Sequence, residues 1–334
     1  MGKNRVKKSA PPLVVQDIFV SAIIVVKANT KKLTKYIEEL SSLLSSRYTN
    51  YEIIVVDNGV AEGQVEKLTE YLLTIPCIRV IRLTQHFKYD TALFAGLEVS
   101  IGDFVCTLDP SIDPIATIPK LVQINQSKDV VQGVSELPIE TSKAGKLGRK
   151  LFYWYNRKYI GIDIPVNATY FASYSRKAVN ALTQTTRSQH HIRHLARRVG
   201  YAYEIVPYEP LQNPSSNKKL KRGVIEAIEI AISYSTHPLR FVTWLGLTAS
   251  ILNVFYAVYI VSVNIFDRNV VQGWTTMSFQ LSIMFFILFI IVVIISEYIG
   301  RILTESYKDP QYYVTDELTS SVSLADASRR NVTK

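Results

Sequence analysis

The chain has 334 residues and carries 38 lysines and arginines against 28 aspartates and glutamates, a net charge of +10. That length exceeds one ordinary domain, and 48% apolar residues with 20% charged ones exclude a disordered or fibrous chain. Cys77 and Cys106 stand alone, so neither a disulfide framework nor a cysteine-built metal cage is available.

Residues 1–17 open MGKNRVKKSAPP, basic and without an apolar run long enough for a secretory signal, and read as a flexible arm. Residues 18–26 (IFVSAIIVV) form an apolar, β-branched run suited to a strand buried on both faces. Helical spacing follows at 31–46, a second strand at 51–56 ending in Asp57-Asn58-Gly59, a helix at 62–73 and a third strand at 78–83. Residues 91–100 read as a helix and 103–108 as a fourth strand that stops at Asp109. This alternation predicts a mostly parallel, Rossmann-like α/β sheet. Ligands of such sheets lie beyond the carboxyl ends of the strands, where Asp57 and Asp109 fall.

The texture changes at 141–160, TSKAGKLGRKLFYWYNRKYI, where six cations interleave with five aromatic residues. Such a helix suits either nucleic acid or a membrane interface, and the rest of the chain favours the interface. In SQHHIRHLARR, His190 and His194 have the i, i+4 spacing of two metal ligands. Arg187, Arg193, Arg197 and Arg198 would repel a cation, so a basic helix facing phosphates is favoured over a zinc site. Residues 18–213 are taken as one cytoplasmic domain and 214–240 as a basic, amphipathic juxtamembrane helix.

Between Arg240 and Asp267 lie 26 residues without a formal charge, and between Arg268 and Glu297 lie 28. Each can cross a bilayer, so two transmembrane helices are predicted at about 241–266 and 274–296. Lysines and arginines cluster before the first span and after the second, which places the large domain and both termini on the cytoplasmic side of the membrane. The spans hold no Asp, Lys or Arg to line a transport path. The positive charge points to anionic lipid as a partner and not to nucleic acid. The tail, 301–334, turns polar from Thr315 and reads as disordered at its end.

Asp57 before a turn-prone Asn-Gly pair suits either a ribose or base edge or a simple turn cap. Asp109 and Asp113, in LDPSIDP, suit a divalent cation carried on a diphosphate.

With these features in place, the chain resembles the membrane-anchored family-2 glycosyltransferases that move a sugar from a nucleotide sugar to polyprenyl phosphate. The types in question are bactoprenol glucosyltransferase, aminoarabinose transferase and dolichol-phosphate mannose synthase. The resemblance spans residues 18–315 and is carried by QHFKYDTALFAGLEVSIGDFVCTLDPSIDP (85–114), GIDIPVNATYFASYSRKAV (161–179), STHPLRFVTWLG (235–246) and SEYIGRILTESYKDPQYYV (296–314). It implies a GT-A fold with an anchor of two spans, a UDP-sugar as favoured donor, inversion at the sugar carbon, and Mg2+ or Mn2+ as cofactor. It also implies roles for particular residues. Asp57, Asn58, Gly59, His86, Asp90, Gly102 and Asp103 would line the nucleotide site. Asp109 and Asp113 would hold the metal and, with Lys218 and Arg193, form the catalytic set. The resemblance further implies a bacterial inner (plasma) membrane as the location, and is compatible with a homo-oligomer or a hetero-oligomer with a related transferase.

The departures are specific. The pattern Asp-x-Asp reads Asp109-Pro110-Ser111, and Asp-Ala-Gly-Asp-Phe-Arg reads Asn167-Ala168-Thr169-Tyr170-Phe171-Ala172. The late Gly-x-Ser-Lys-Tyr keeps only Lys218. Two readings follow: a divergent transferase, or a catalytically silent relative that acts as partner or scaffold of an active one.

Overall fold

The computed structural model describes residues 15–26, 33–59, 75–137, 143–184, 191–212, 237–266, 273–306 and 312–320. The basic arm to residue 14, the helix expected at 62–73, Lys218, His190 and most of the juxtamembrane segment lie outside them.

Two compact units form. The first comprises residues 1–143, 162–217 and 310–334, and the second residues 144–161 and 218–309. The basic-aromatic helix therefore clusters with the long C-terminal helices.

The first unit is built on an eight-stranded sheet: β1 (Gln16–Val26), β2 (Tyr48–Asp57), β3 (Ile78–Leu83), β4 (Phe104–Leu108), β5 (Val130–Ser135), β6 (Ala168–Ser175), β7 (Tyr203–Tyr208) and β8 (Val314–Thr319). Their order is β7-β5-β6-β4-β1-β2-β3-β8. The run β3-β2-β1-β4 is wholly parallel, as in half of a doubly wound sheet. β6 is antiparallel to both its neighbours, and β8 is antiparallel to β3.

From Val20 to Val26 every residue of β1 is buried, because helices cover both faces of a central parallel strand. The helix Leu33–Arg47 packs on β2 and buries Tyr36, Ile37, Leu40 and Leu44, the three-and-four spacing of one helical face. At the amino end of β4, Gly102 is forced by contact: a Cβ there would lie 2.6 Å from the backbone nitrogen of Ser21. Nearby, buried Glu52 accepts from Ser21 Oγ (2.6 Å) and the Ile101 N–H (2.8 Å) and pairs with Arg79 at 3.2 Å.

The tail departs from expectation. Instead of disorder from Thr315 onward, residues 314–319 add β8 to the free edge of β3, with Arg79 paired to Glu317 and Arg82 3.7 Å from Asp316. A polar composition conceals this, because an edge strand is held by main-chain hydrogen bonds and cross-strand charges and needs no apolar residues.

In the second unit the helix Lys143–Tyr155 runs into a π-helical turn, Asn156–Ile160, closed by Gly161 in the left-handed region (φ 74°). Leu147, Leu151 and Trp154, at i, i+4 and i+7, are all exposed, and Lys158 lies 5.1 Å from the Trp154 ring. The helices His237–Phe266 and Trp274–Ser306 run antiparallel, with Gln280 donating to Asn253 (3.1 Å) and Ile291 close to Gly246. Phe241, Trp244, Phe255, Phe286 and Phe289 are exposed on them. The segment Ile283–Gly300 is long and apolar enough to cross a membrane.

Candidate active site

Parallel pairing brings the carboxyl ends of four strands to one edge: Val26 lies opposite Asp57, Ile24 opposite Leu108, and Asp57 opposite Arg82. Because β6 is antiparallel, its first residues (168–170) reach the same edge. Asp57, Asp109, the loop after β3 and the start of β6 thus converge where an α/β sheet binds ligands.

Asp57 is buried, with Arg82 Nε 3.5 Å from its carboxylate. Arg82 is shared with Asp316 of β8, so the tail strand touches the ion pair of this edge. Asn58 does not project into the crevice. Its Nδ2 donates to the Phe87 carbonyl (3.0 Å) and its Oδ1 accepts the Phe87 N–H (2.8 Å). Gly59 follows at φ 76°, where any Cβ would sit 3.1 Å from the His86 backbone nitrogen. Asn58 and Gly59 therefore clamp the turn after β2 onto the loop after β3, and His86 is presented from that clamp. The His86 Nδ1–H donates to its neighbour's carbonyl at 2.8 Å, which fixes the tautomer.

The turn after β4 is closed on itself. Asp109 N–H donates to Asp113 Oδ2 (2.8 Å), Asp113 N–H to the Asp109 carbonyl (2.9 Å), and Ser111 N–H to Asp109 Oδ1 (3.0 Å). The second Asp113 oxygen accepts the Tyr208 hydroxyl at 2.6 Å, and Tyr36 donates to the Asp113 carbonyl at 2.9 Å. Burial, then the negative charge of Asp113, push both phenols far above the usual tyrosine range, so they stay donors. Asp113, expected as a metal ligand, is 1% exposed and has both oxygens engaged. It braces the loop.

On the other flank, half-buried Asp90 accepts the Tyr170 hydroxyl (2.9 Å) and the Ile192 N–H (3.2 Å), with His191 Nδ1 at 3.8 Å. Burial would raise this carboxyl, but His191, Arg193 and Tyr170 together hold it below the usual range. Arg193 lies 4.6 Å over the Tyr170 ring and donates to the Ala168 carbonyl (2.8 Å). Tyr89 links the two flanks. Its ring is 4.5 Å from that of Tyr170, and burial, then the charges of Asp109 and Asp113, raise its phenol. Arg197 belongs elsewhere, over the Tyr203 ring and on the Asp163 carbonyl.

Gly102 and Asp103 do not join the site. They sit at the amino end of β4, where Asp103 Oδ2 accepts the Phe19 N–H (3.1 Å). Six residues of extended chain separate Asp103 from Asp109, roughly 20 Å, so these two residues secure the opposite end of the sheet. In their place the structure brings in Tyr89, Tyr170, His191 and Tyr208. Position 170 stands out in the sequence as a missing carboxylate, but its own hydroxyl is what matters. Nothing local marks Tyr208, 95 residues from its partner Asp113.

Residues 21–183 match the family model described as "Glycosyl transferase family 2". These residues are a family 2 glycosyltransferase domain. Along the greater part of its length, the chain is similar to the "Bactoprenol glucosyl transferase" of Shigella phage SfX, 26% identical over 79% of this chain and 88% of the relative. The "Prophage bactoprenol glucosyl transferase homolog" of Escherichia coli (strain K12) is 26% identical over 85% and 92%. The "Uncharacterized glycosyltransferase YkcC" of Bacillus subtilis (strain 168) is 23% identical over 83% and 87%. Among solved structures, glucosyl-3-phosphoglycerate synthase from Mycobacterium tuberculosis, with Mn2+, UDP and phosphoglyceric acid, is 16% identical. It covers 64% of this chain and 76% of its own at a TM-score of 0.46, too distant a likeness to build on.

The metal implied by the resemblance finds a poor cage. No group of three or more His, Cys, Asp or Glu side chains that could hold a metal ion occurs among the described residues. Ser111 stands where the second aspartate would be, and Asp113 is committed as above. Asp109 is left as a single carboxylate, with one oxygen already taken by the Ser111 N–H.

Proposed function

We propose that this glycosyltransferase moves a sugar from a nucleotide sugar, a UDP-sugar by preference, to a polyprenyl phosphate at the cytoplasmic face of a membrane. The observation that carries this is the reach of the similarity. A match covering 85% of the chain cannot fit within the 236 residues before His237, so it runs from the transferase domain into the long C-terminal helices. A transferase that shares its anchor with bactoprenol transferases has reason to share their class of acceptor. Asp57, His86 and Asp109 would face the donor, and Arg193 with Lys218 the phosphates.

In this reaction an acceptor phosphate oxygen forms a bond to the anomeric carbon from the face opposite the leaving group. The bond from that carbon to the diphosphate oxygen breaks, and the nucleoside diphosphate departs with the electron pair. The nucleophile is already ionised at neutral pH, so no strong base is required. The chain's own task is to align the two anions and to offset their charge.

Two crossings of the membrane are part of the proposal. β8 follows the helix Trp274–Ser306 and pairs with β3, so the chain returns to the side it left. That pairing supports an even number of crossings, with the helix His237–Phe266 as the second. The stripe Leu147, Leu151 and Trp154, flanked by Arg149, Lys150 and Lys158, supports a helix lying in the interface of an anionic leaflet.

The test is transfer of labelled sugar from a panel of nucleotide sugars to polyprenyl phosphate by the full-length protein in detergent. Sugar in the lipid extract is expected. If no donor is turned over and no nucleotide binds by calorimetry, the enzyme reading falls. Co-purification of a second, related transferase from native membranes would then favour the scaffold reading.

A further inference from the structure

We propose that the donor diphosphate in this site is held by Arg193, with no requirement for a divalent cation; this rests on the transferase reading above. Among the described residues, Asp57 is engaged by Arg82, Asp90 by the Tyr170 hydroxyl and the Ile192 N–H, and Asp113 by Tyr208 and the Asp109 N–H. Drawing Asp113 onto a cation would strip a buried carboxylate of a 2.6 Å hydrogen bond and open the turn that shapes Asp109. A hard cation wants several oxygen ligands, and a single carboxylate, already accepting the Ser111 N–H, offers little beyond what the diphosphate brings itself.

Arg193, by contrast, is already fixed. Its guanidinium is stacked over Tyr170 and anchored on the Ala168 carbonyl, at the start of β6. Tyr170 touches Tyr89, whose phenol senses the charges of Asp109 and Asp113, so two aromatic rings lie between the cation and the turn after β4. A stacked, planar guanidinium loses little freedom on binding and matches two phosphate oxygens at once. It also keeps its charge at every working pH. The sequence makes the same exchange: a serine at 111 and a tyrosine at 170 remove negative charge from positions where the family pattern carries aspartate. With fewer carboxylates to neutralise, a diphosphate needs one organic cation where the pattern needs a metal. Asp109 then accepts a sugar hydroxyl and is not a metal ligand.

The experiment is calorimetry of UDP, GDP, ADP, CDP and TDP with the full-length protein in detergent, with EDTA and again with Mn2+, followed by sugar transfer under both conditions. The tightest nucleotide should bind within about threefold of the same affinity in the two buffers. Arg193→Met keeps the aliphatic stem over Tyr170 while removing the charge. It should weaken binding by about 10- to 100-fold, the loss of one charged hydrogen-bonding group, with an unchanged circular dichroism spectrum. Arg193→Lys should recover part of the loss. Asp109→Asn should weaken binding by the same factor in EDTA and in Mn2+. Binding or transfer abolished by EDTA and restored by Mn2+ would overturn this inference and leave the transferase reading intact. No nucleotide binding in either buffer would overturn both.

Discussion

His194 should make the transferase domain acid-sensitive, and the size of the effect can be worked out. Its side chain is buried in the helix Ile192–Arg198, with the His191 ring at 5.8 Å and Arg193 and Asp90 as the charged neighbours. Burial first, then the charges of His191 and Arg193, push it down from 6.5 to about 3, against a small opposing pull from Asp90. The folded protein therefore holds this imidazole neutral, while the unfolded chain takes up a proton below about pH 6.5. Stability is fully present above that value and is lost as pH falls toward the folded pKa. At about 1.4 kcal/mol per unit, the loss reaches about 2 kcal/mol by pH 5 and roughly 5 kcal/mol across the whole window. Against a typical total of about 5–15 kcal/mol the part lost by pH 5 is readily measured. The assay is urea unfolding of the full-length protein in detergent, followed by circular dichroism at pH 7, 6 and 5, for the wild type and His194→Phe. Packing sets the variant's stability at pH 7, and its slope between pH 7 and 5 should be flatter by about 2 kcal/mol. Equal slopes in the two proteins would refute the reasoning.

Three other perturbations separate site from scaffold. Asn58→Ala leaves the Phe87 N–H and carbonyl without their clamp; it should cost about 1–3 kcal/mol in thermal unfolding and weaken nucleotide binding, and an unaltered affinity would remove Asn58 from the site's support. Gly102→Ala drives a Cβ into Ser21 and should destabilise by about 1–3 kcal/mol or more, while nucleotide affinity per folded molecule stays as it was, because the change lies at the far end of β4. Arg79→Met strands the buried Glu52 carboxylate and should cost about 3–5 kcal/mol by urea unfolding, with much of it returned by adding Glu52→Gln. For the membrane, a protein with Trp244 and Trp274 changed to Phe should have its remaining Trp154 fluorescence quenched by lipids brominated near the headgroup more than by lipids brominated at the chain ends. Quenching by neither would argue against an interfacial helix.

Much of the fold was legible because its signals are local. An unbroken apolar run such as residues 18–26 can only be a doubly covered strand or a buried helix, and its length and β-branching decide for the strand. The order of strands and helices then dictates a parallel sheet, and the carboxyl-end rule puts Asp57 and Asp109 on one edge before any coordinates exist. The family resemblance, and not this rule, misplaced Gly102 and Asp103, since a motif close to Asp109 in sequence is not close in space when a five-residue strand, β4, lies between them.

What the sequence by itself determined is therefore the class of protein: an α/β domain followed by long apolar helices, with two acids at strand ends. These follow from periodicity and chain connectivity, which act over a few residues. Only the tertiary structure decided what each site residue is doing. Asp113 reads as a ligand until Tyr208 arrives from β7, the tail reads as disordered until β3 offers it an edge, and Arg193 reads as one cation among several until Tyr170 lies beneath it. Each of these outcomes turns on a partner tens to hundreds of residues away. A side chain's chemistry is set by which groups desolvate it and satisfy its hydrogen bonds, and that is a property of the folded neighbourhood.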